Sequence, residues 1–293
     1  ADLPIESRIS LGPGSPRIDI RTTVSNAAED HRLRVLFPLD ALVQAASAEG
    51  IFSVDDRPVT PRDGSAFADW VEPPSTNPQK SFVSVCAGRR GLAVANRGLP
   101  DHEVIQDGNG HAVVALTLLR CVGWLSRPDL LARKGNGGWT LSTPGAQCPG
   151  THVFEYSIIP HAGPWSEAGV LALAHQFAVP ALVFPLAQGG GAAPGLPPAA
   201  AGVPLVQVDR EEISLSALKA AEEGDGCIVR MWNASDRTVD AAVRFGVPAA
   251  SVLRTDLAER GGERLAGKDG VFTVQVAPWK IVTLKVDFSG NRR

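Results

Sequence analysis

The chain has 293 residues, of which 44% are hydrophobic and 20% charged, the balance of a globular protein with room for one large or two modest cores. Its net charge of −3 gives no electrostatic reason to expect nucleic acid, and no run approaches the roughly 20 apolar residues of a membrane helix. The first residues, ADLPIESRISLG, lack the basic and apolar regions of a secretory signal.

Taken in chain order, the predicted elements are mostly strands, because apolar and polar residues alternate with period two. Ile18, Ile20, Thr22 and Val24 share one face against Asp19, Arg21 and Thr23. Leu33, Val35 and Phe37 alternate with Arg32 and Arg34. Residues 91–104, GLAVANRGLPDHEV, begin as a strand and then carry an acid, an imidazole and a second acid (Asp101, His102, Glu103) on what reads as a loop. Residues 113–121, VVALTLLRC, are apolar throughout, which predicts a strand covered on both faces. RPDLLAR at 127–133 predicts one or two helical turns.

Farther along, Phe154, Tyr156 and Ile158 oppose Glu155 and Ser157. Residues 166–178, SEAGVLALAHQFA, predict a helix capped by Ser166, with Val170, Leu173 and Phe177 on one side. Alternation returns in CIVRMWN (227–233) and VFTVQVAPWKIVTLKV (271–286). Just before the first of these, the acids of SALKAAEEGDG (216–226) read as a solvated turn.

With 30 glycines, 23 prolines and no βαβ series, the chain is expected to be all-β, with antiparallel sheets that have one wet face. The stretch QGGGAAPGLPPAAAG, residues 188–202, reads as a linker. It divides a large sandwich (1–187) from a small β module (203–293). Cys86, Cys121, Cys148 and Cys227 lack zinc-knuckle spacing and read as free thiols in a reducing cytosol, hence a cytoplasmic location. The only methionine is Met231 and the chain opens on Ala1, as expected of a piece cut from something larger.

Several segments together resemble the carboxyl-terminal β region of glycoside hydrolase family 38, the α-mannosidases, including bacterial mannosylglycerate hydrolase-like members. They are residues 91–104, DGNGHAVVALTLLRCVGWLSR (107–127), TPGAQCPGTHVFEYSIIPHAGPW (143–165), ISLSALKAAEEGDGCIVRMWN (213–233), TDLAE (255–259) and APWKIVTLKV (277–286). The resemblance implies an antiparallel, galactose-mutarotase-like supersandwich followed by a smaller β-sandwich module. It also implies that the nucleophile, acid/base and zinc ligands lie on an amino-terminal barrel absent from this sequence. The chain alone is then expected to be inactive and to hold no cofactor. Its partners would be that catalytic barrel, the helical domain beside it, and a mannoside or mannosyl-conjugate substrate.

No residue is assigned a catalytic or metal-binding role. For substrate binding, Arg120, Asp101 and His102 are the candidates. An arginine at the end of an apolar strand is costly to bury unpaired, and the local acids Asp101 and Asp107 are its expected partners. The resemblance offers another role, since family members reach toward the sugar with an arginine at the equivalent strand end. Three adjacent residues in extended backbone seldom converge on one ion, so the Asp101–Glu103 stretch reads as a solvated or interdomain loop, which the resemblance implies is surface near a sugar cleft. His152 and His161 bracket VFEYSIIP; His152, on the face of Phe154, Tyr156 and Ile158, reads as a satisfied core histidine, and Tyr156 as a structural pin. Trp124 and Trp232 read as core, while Trp70 and Trp139 are expected on loops as possible sugar platforms. Exposed indoles on one face would instead favour a stand-alone carbohydrate-binding module, and a broad, partly apolar surface toward the barrel a purely structural domain.

Overall fold

The computed structural model describes residues 2–59, 75–129, 135, 137–182, 203–224 and 226–288. They fall into two compact units, Ala1–Ala181 and Leu182–Arg293. The expected linker at 188–202 lies outside the described residues, as do Trp70, Asp225 and most of the turn expected at 127–133.

The first unit contains strands β1 (Ile5–Ser10), β2 (Ile18–Asn26), β3 (Arg32–Pro38), β4 (Ala45–Glu49), β5 (Val54–Pro58) and β6 (Asn77–Pro78). They are followed by β7 (Phe82–Ala87), β8 (Arg90–Asn96), β9 (Asp101–Gln106), β10 (Ala112–Arg120), β11 (Gly150–His161) and helix α1 (Val170–Ala178). A seven-stranded sheet runs β1-β2-β11-β8-β7-β4-β5, and a four-stranded sheet runs β3-β10-β9-β6. Every pairing is antiparallel.

The alternation read from the sequence explains how the two sheets meet. Ile20, Val83, Val85, Val94 and Tyr156 of the larger sheet join Phe37, Val114 and Leu116 of the smaller one in a single apolar cluster. Each such buried side chain contributes roughly 1.5–3 kcal/mol relative to exposure. Tyr156 is the expected pin: its hydroxyl bonds Thr22 Oγ1 at 2.7 Å, and Thr22 in turn bonds Ser7 Oγ at 2.8 Å. Strand β10 is buried along nearly its whole length, as its composition requires.

Helix α1 packs on the outer face of the larger sheet, burying Val170, Leu171, Ala174 and Phe177. It starts later than the sequence suggests. Gly169 adopts a left-handed conformation (φ 67°), and no side chain caps the helix. Ser166 belongs instead to the preceding turns, in which Ala168 N–H donates to Pro164 and Val170 N–H to Trp165.

A buried acid ties this helix to the sheet. The Glu49 carboxylate is fully buried and accepts from Lys80 Nζ (3.0 Å), Ser81 Oγ and His175 Nε2 (2.8 Å). Burial pushes its pKa up, but the hydrogen bond and charge of His175, with the bonds from Ser81 and Lys80, outweigh that and hold it below the ordinary value of 4.5.

The second unit is a smaller two-sheet sandwich. Its strands are β12 (Val206–Val208), β13 (Ile213–Ala220), β14 (Cys227–Asn233), β15 (Val239–Phe245) and β16 (Ala249–Thr255). The remainder are β17 (Glu263–Arg264), β18 (Gly267–Lys268), β19 (Val271–Val276) and β20 (Ile281–Phe288). Sheet β12-β15-β19-β18 faces sheet β13-β14-β20-β16-β17 across a core that includes Val229, Met231, Val243, Val274 and Leu284. SALKAAEEGDG supplies the end of β13 and the turn leading to β14.

All four cysteines are free; Cys121 and Cys227 are buried, Cys86 and Cys148 half-buried. No helix among the described residues is long and apolar enough to cross a membrane.

Because the Glu49 pKa is lowered on folding, its stabilisation is complete above the unfolded value and fades as pH falls through the folded one. Glu49→Gln is therefore expected to cost about 1–3 kcal/mol at neutral pH. It should also flatten the acid limb of a melting temperature against pH curve; an unchanged limb would remove Glu49 as its source.

Candidate functional site

The stretch that the sequence reads as a loop is strand β9, hydrogen-bonded to β10 on one side and β6 on the other. It is entered through a tight turn in which Gly98 takes φ 72° and the Asn96 side chain accepts the Leu99 N–H at 2.8 Å. Successive side chains of a strand point to opposite faces, so the three candidate groups do not converge. Asp101 and Glu103 face outward and meet Arg32 and Arg34 of β3. The distances are 3.0 Å for Arg32–Asp101, 3.6 Å for Arg32–Glu103 and 2.6 Å for Arg34–Glu103.

His102 turns the other way. Only 1% of it is exposed, and its Nδ1 has no partner. Burial lowers its pKa to about 4; the charge of Asp101 pulls upward and that of Arg57 downward. At neutral pH the ring is uncharged and lies beneath the strand surface rather than on it.

Arg120 is not buried at all. A β-bulge between Thr117 and Leu119 inserts an extra residue opposite β3, after which Arg120 pairs in register with Arg32. Without the bulge, strict alternation would carry Leu119 outward and Arg120 into the core. With it, Leu118 and Leu119 both pack against the interior clusters, and Arg120 reaches the side of the sheet that carries Thr117. The expected ion pairs do not form. Asp101 is held by Arg32, and the Asp107 carboxylate accepts the N–H groups of Asn109 (2.8 Å) and His111 (2.9 Å) within the β9–β10 turn. Arg120 has no hydrogen-bond or ionic partner among the described residues.

Asp101, Thr117 and Arg120 line an open groove of about 670 Å³ together with Asn77, Arg97 and Phe154. Two arginines, Arg97 in the groove and Arg32 beside it, were not singled out as site residues from the sequence. Arg32 donates to Thr117 Oγ1 (3.0 and 2.7 Å) as well as to Asp101. Arg97 donates to the Phe177 carbonyl at 2.7 Å, pairs with Glu155, and lies 4.6 Å from the centroid of the Phe177 ring. Their partners sit 58 to 85 residues away in the chain, so no local pattern signals them.

Chemically, the groove offers one free guanidinium, one carboxylate already engaged by arginine, a threonine hydroxyl, an amide and an aromatic wall. That set suits hydrogen bonding to a polyol. Bond cleavage with retention needs two opposed carboxyls about 5–5.5 Å apart, and among the described residues Asp101 is the only acid lining this groove. Among the described residues no group of three or more His, Cys, Asp or Glu side chains is arranged to hold a metal ion.

The other expectations divide. His152 is satisfied, its Nε2 2.9 Å from the Cys148 carbonyl and its ring stacked on Phe154. Trp232 is core, at 1% exposure. Trp124, expected in the core, is 44% exposed because its segment pairs with residue 142 in a peripheral bridge instead of joining a sheet. Trp139 is 78% exposed.

These features define an all-β accessory region with a polar surface groove. The model described as "Glycosyl hydrolases family 38 C-terminal domain" matches residues 2–129, and that described as "Glycosyl hydrolases family 38 C-terminal beta sandwich domain" matches residues 212–284. The chain belongs to glycosyl hydrolase family 38, as part of its carboxyl-terminal region. Over 287 residues it is 29% identical to a Halalkalibacterium halodurans protein named as a mannosylglycerate hydrolase, covering 98% of this chain and 29% of that protein. Human alpha-mannosidase 2C1 is 24% identical over 288 residues, 96% of this chain and 24% of the relative. The crystal structure of an alpha-mannosidase from Enterococcus faecalis V583 superimposes with a TM-score of 0.74 at 26% identity, covering 96% of this chain and 28% of the other. The chain thus spans less than a third of the length of these relatives.

A lowered histidine pKa makes stability complete above the unfolded value of 6.5 and erodes it as pH falls toward about 4. In an NMR titration the His102 ring should stay neutral until pH nears 4. Replacing it with leucine should remove a loss of at most about 3 kcal/mol over that window. A midpoint near 6.5 would show that the ring is solvated.

Proposed function

We propose that this chain is the non-catalytic carboxyl-terminal portion of a zinc-dependent, retaining α-mannosidase. In this reading it buttresses an amino-terminal catalytic barrel and helical domain and walls one side of the sugar cleft. The matching of both carboxyl-terminal family models, in the expected order along one chain, carries the assignment. In this reading the zinc ion would be held by the amino-terminal barrel. The substrate is an α-mannoside or mannosyl conjugate, a class supported by the names of the relatives.

The rim function rests on Arg120. Every other charged side chain lining the groove is held by a partner within the chain, whereas this guanidinium is left to meet a ligand. Its fork can grip two oxygens of a sugar diol. Asp101 contributes the carboxylate beside it, fixed by Arg32. His102 acts from beneath, as a neutral spacer that sets the position of β9 and does not contact sugar.

Two measurements test this. The isolated chain should release no nitrophenol from a nitrophenyl α-mannoside at enzymatic rates; turnover would falsify the non-catalytic assignment. In the full-length enzyme, Arg120→Ala should lower kcat/KM about tenfold or more, the cost of a hydrogen bond to a charged group, without changing the melting temperature. Equal kcat/KM at equal stability retires the rim function.

A further inference from the structure

A second groove, of about 620 Å³, opens on the outer face of the seven-stranded sheet, where helix α1 no longer covers it. Its floor is a cross-strand row. Asp56 of β5 lies opposite Ser47 of β4, and Ser47 lies opposite Ser84 of β7, so the three side chains share a face. Trp165 and Leu42 supply apolar walls. The half-buried indole rests on Phe82, with ring centroids 5.8 Å apart.

The floor is built rather than incidental. Ser84 is 3% exposed yet lines the groove, and its Oγ lies 2.9 Å from His161 Nε2. His161 Nδ1 lies 3.0 Å from the Gly163 carbonyl, which can only accept. The ring proton is therefore on Nδ1, Nε2 accepts, and the Ser84 hydroxyl donates inward. This leaves the Oγ lone pairs for the groove. The imidazole can reach across β8 only because Gly91 has no side chain: a Cβ there would come within 2.2 Å of the ring. Ser47 donates to Asp56 Oδ1 at 2.5 Å, leaving Oδ2 open.

The outcome is a row of hydrogen-bond acceptors on adjacent strands, spaced about 4.8 Å apart, beneath an indole wall. Among the described residues no cationic side chain lines the groove, and Asp56 repels anions. A ligand that fits presents several hydroxyl donors and an apolar C–H face, carries no negative charge, and spans two strands. We propose that this groove is a second, non-catalytic binding site for a neutral pyranoside, remote from the Arg120 rim and independent of the assignment of that rim.

The test is calorimetric titration of the 293-residue chain with methyl α-mannopyranoside, with methylammonium and glycerate as charged probes. The expected result is saturable, millimolar binding of the pyranoside and none of glycerate. Ser84→Ala and Asp56→Ala should each weaken it about fivefold. Because Asp56 is exposed, its variant keeps the test informative if Ser84→Ala melts early. Binding that Asp56→Ala weakens and that survives Arg120→Ala separates this site from the rim. The proposal is overturned by absence of saturation, by undiminished affinity in Asp56→Ala, by preference for methylammonium, or by binding that disappears with Arg120 alone.

Discussion

The bulge in β10 is the constraint on which the rim groove depends. A strand offers two faces in strict alternation, and one extra residue exchanges them for everything that follows. In β10 the exchange falls between Thr117 and Leu119. It keeps two consecutive leucines in the interior and delivers the next residue, Arg120, to the wet side. Burying an unpaired guanidinium would cost several kcal/mol, so the bulge resolves a conflict between packing Leu119 and solvating Arg120. The same rule without a bulge governs β9, where it sends His102 inward and the two flanking acids outward.

Around Arg120 the remaining charges are arranged as a ladder. Arg32 spans Thr117, Asp101 and Glu103, and Arg34 closes on Glu103. Such half-buried pairs add modest stability, but they fix side chains whose rotamers would otherwise wander. Asp101 is positioned by this ladder and thereby loses the freedom to pair with Arg120. The free guanidinium is a consequence of who pairs with whom: two arginines and two acids satisfy one another across β3 and β9, and the additional arginine has no acid left.

Much of the fold was legible because alternation is a local signal. The faces of β2, β3 and β11 and the burial of β10 follow from residue order alone, and the resemblance added the family. What escaped depended on geometry that composition does not encode. The bulge is silent in VVALTLLRC, where three leucines and a threonine give no sign of an inserted residue. The partners of Arg32 and Arg97 lie on distant strands. Gly169 displaced the start of α1 by a backbone conformation that the nearby Ser166 obscured. The acid–imidazole–acid run drew attention as a site, although alternation already implied that its members would separate. His161 carries no local signal of a role, and both of its ring nitrogens are satisfied. Its significance lies in what it does to Ser84.

The second unit clarifies the first by contrast. Its most buried polar side chain, Asn233, spends its amide on the carbonyls of Arg237, Val276 and Ala277 and its carbonyl on Ser235. Lys219 is shared between Glu222 and Glu259, and Arg237 is matched by Glu212. These groups close on one another and rigidify turns. In the first unit two polar arrangements stay open: a guanidinium released by a bulge, and acceptor lone pairs freed because a histidine takes the hydroxyl proton. A side chain becomes available to a ligand when its neighbours leave part of its hydrogen-bonding capacity unused, as they do in these two arrangements of the larger sandwich.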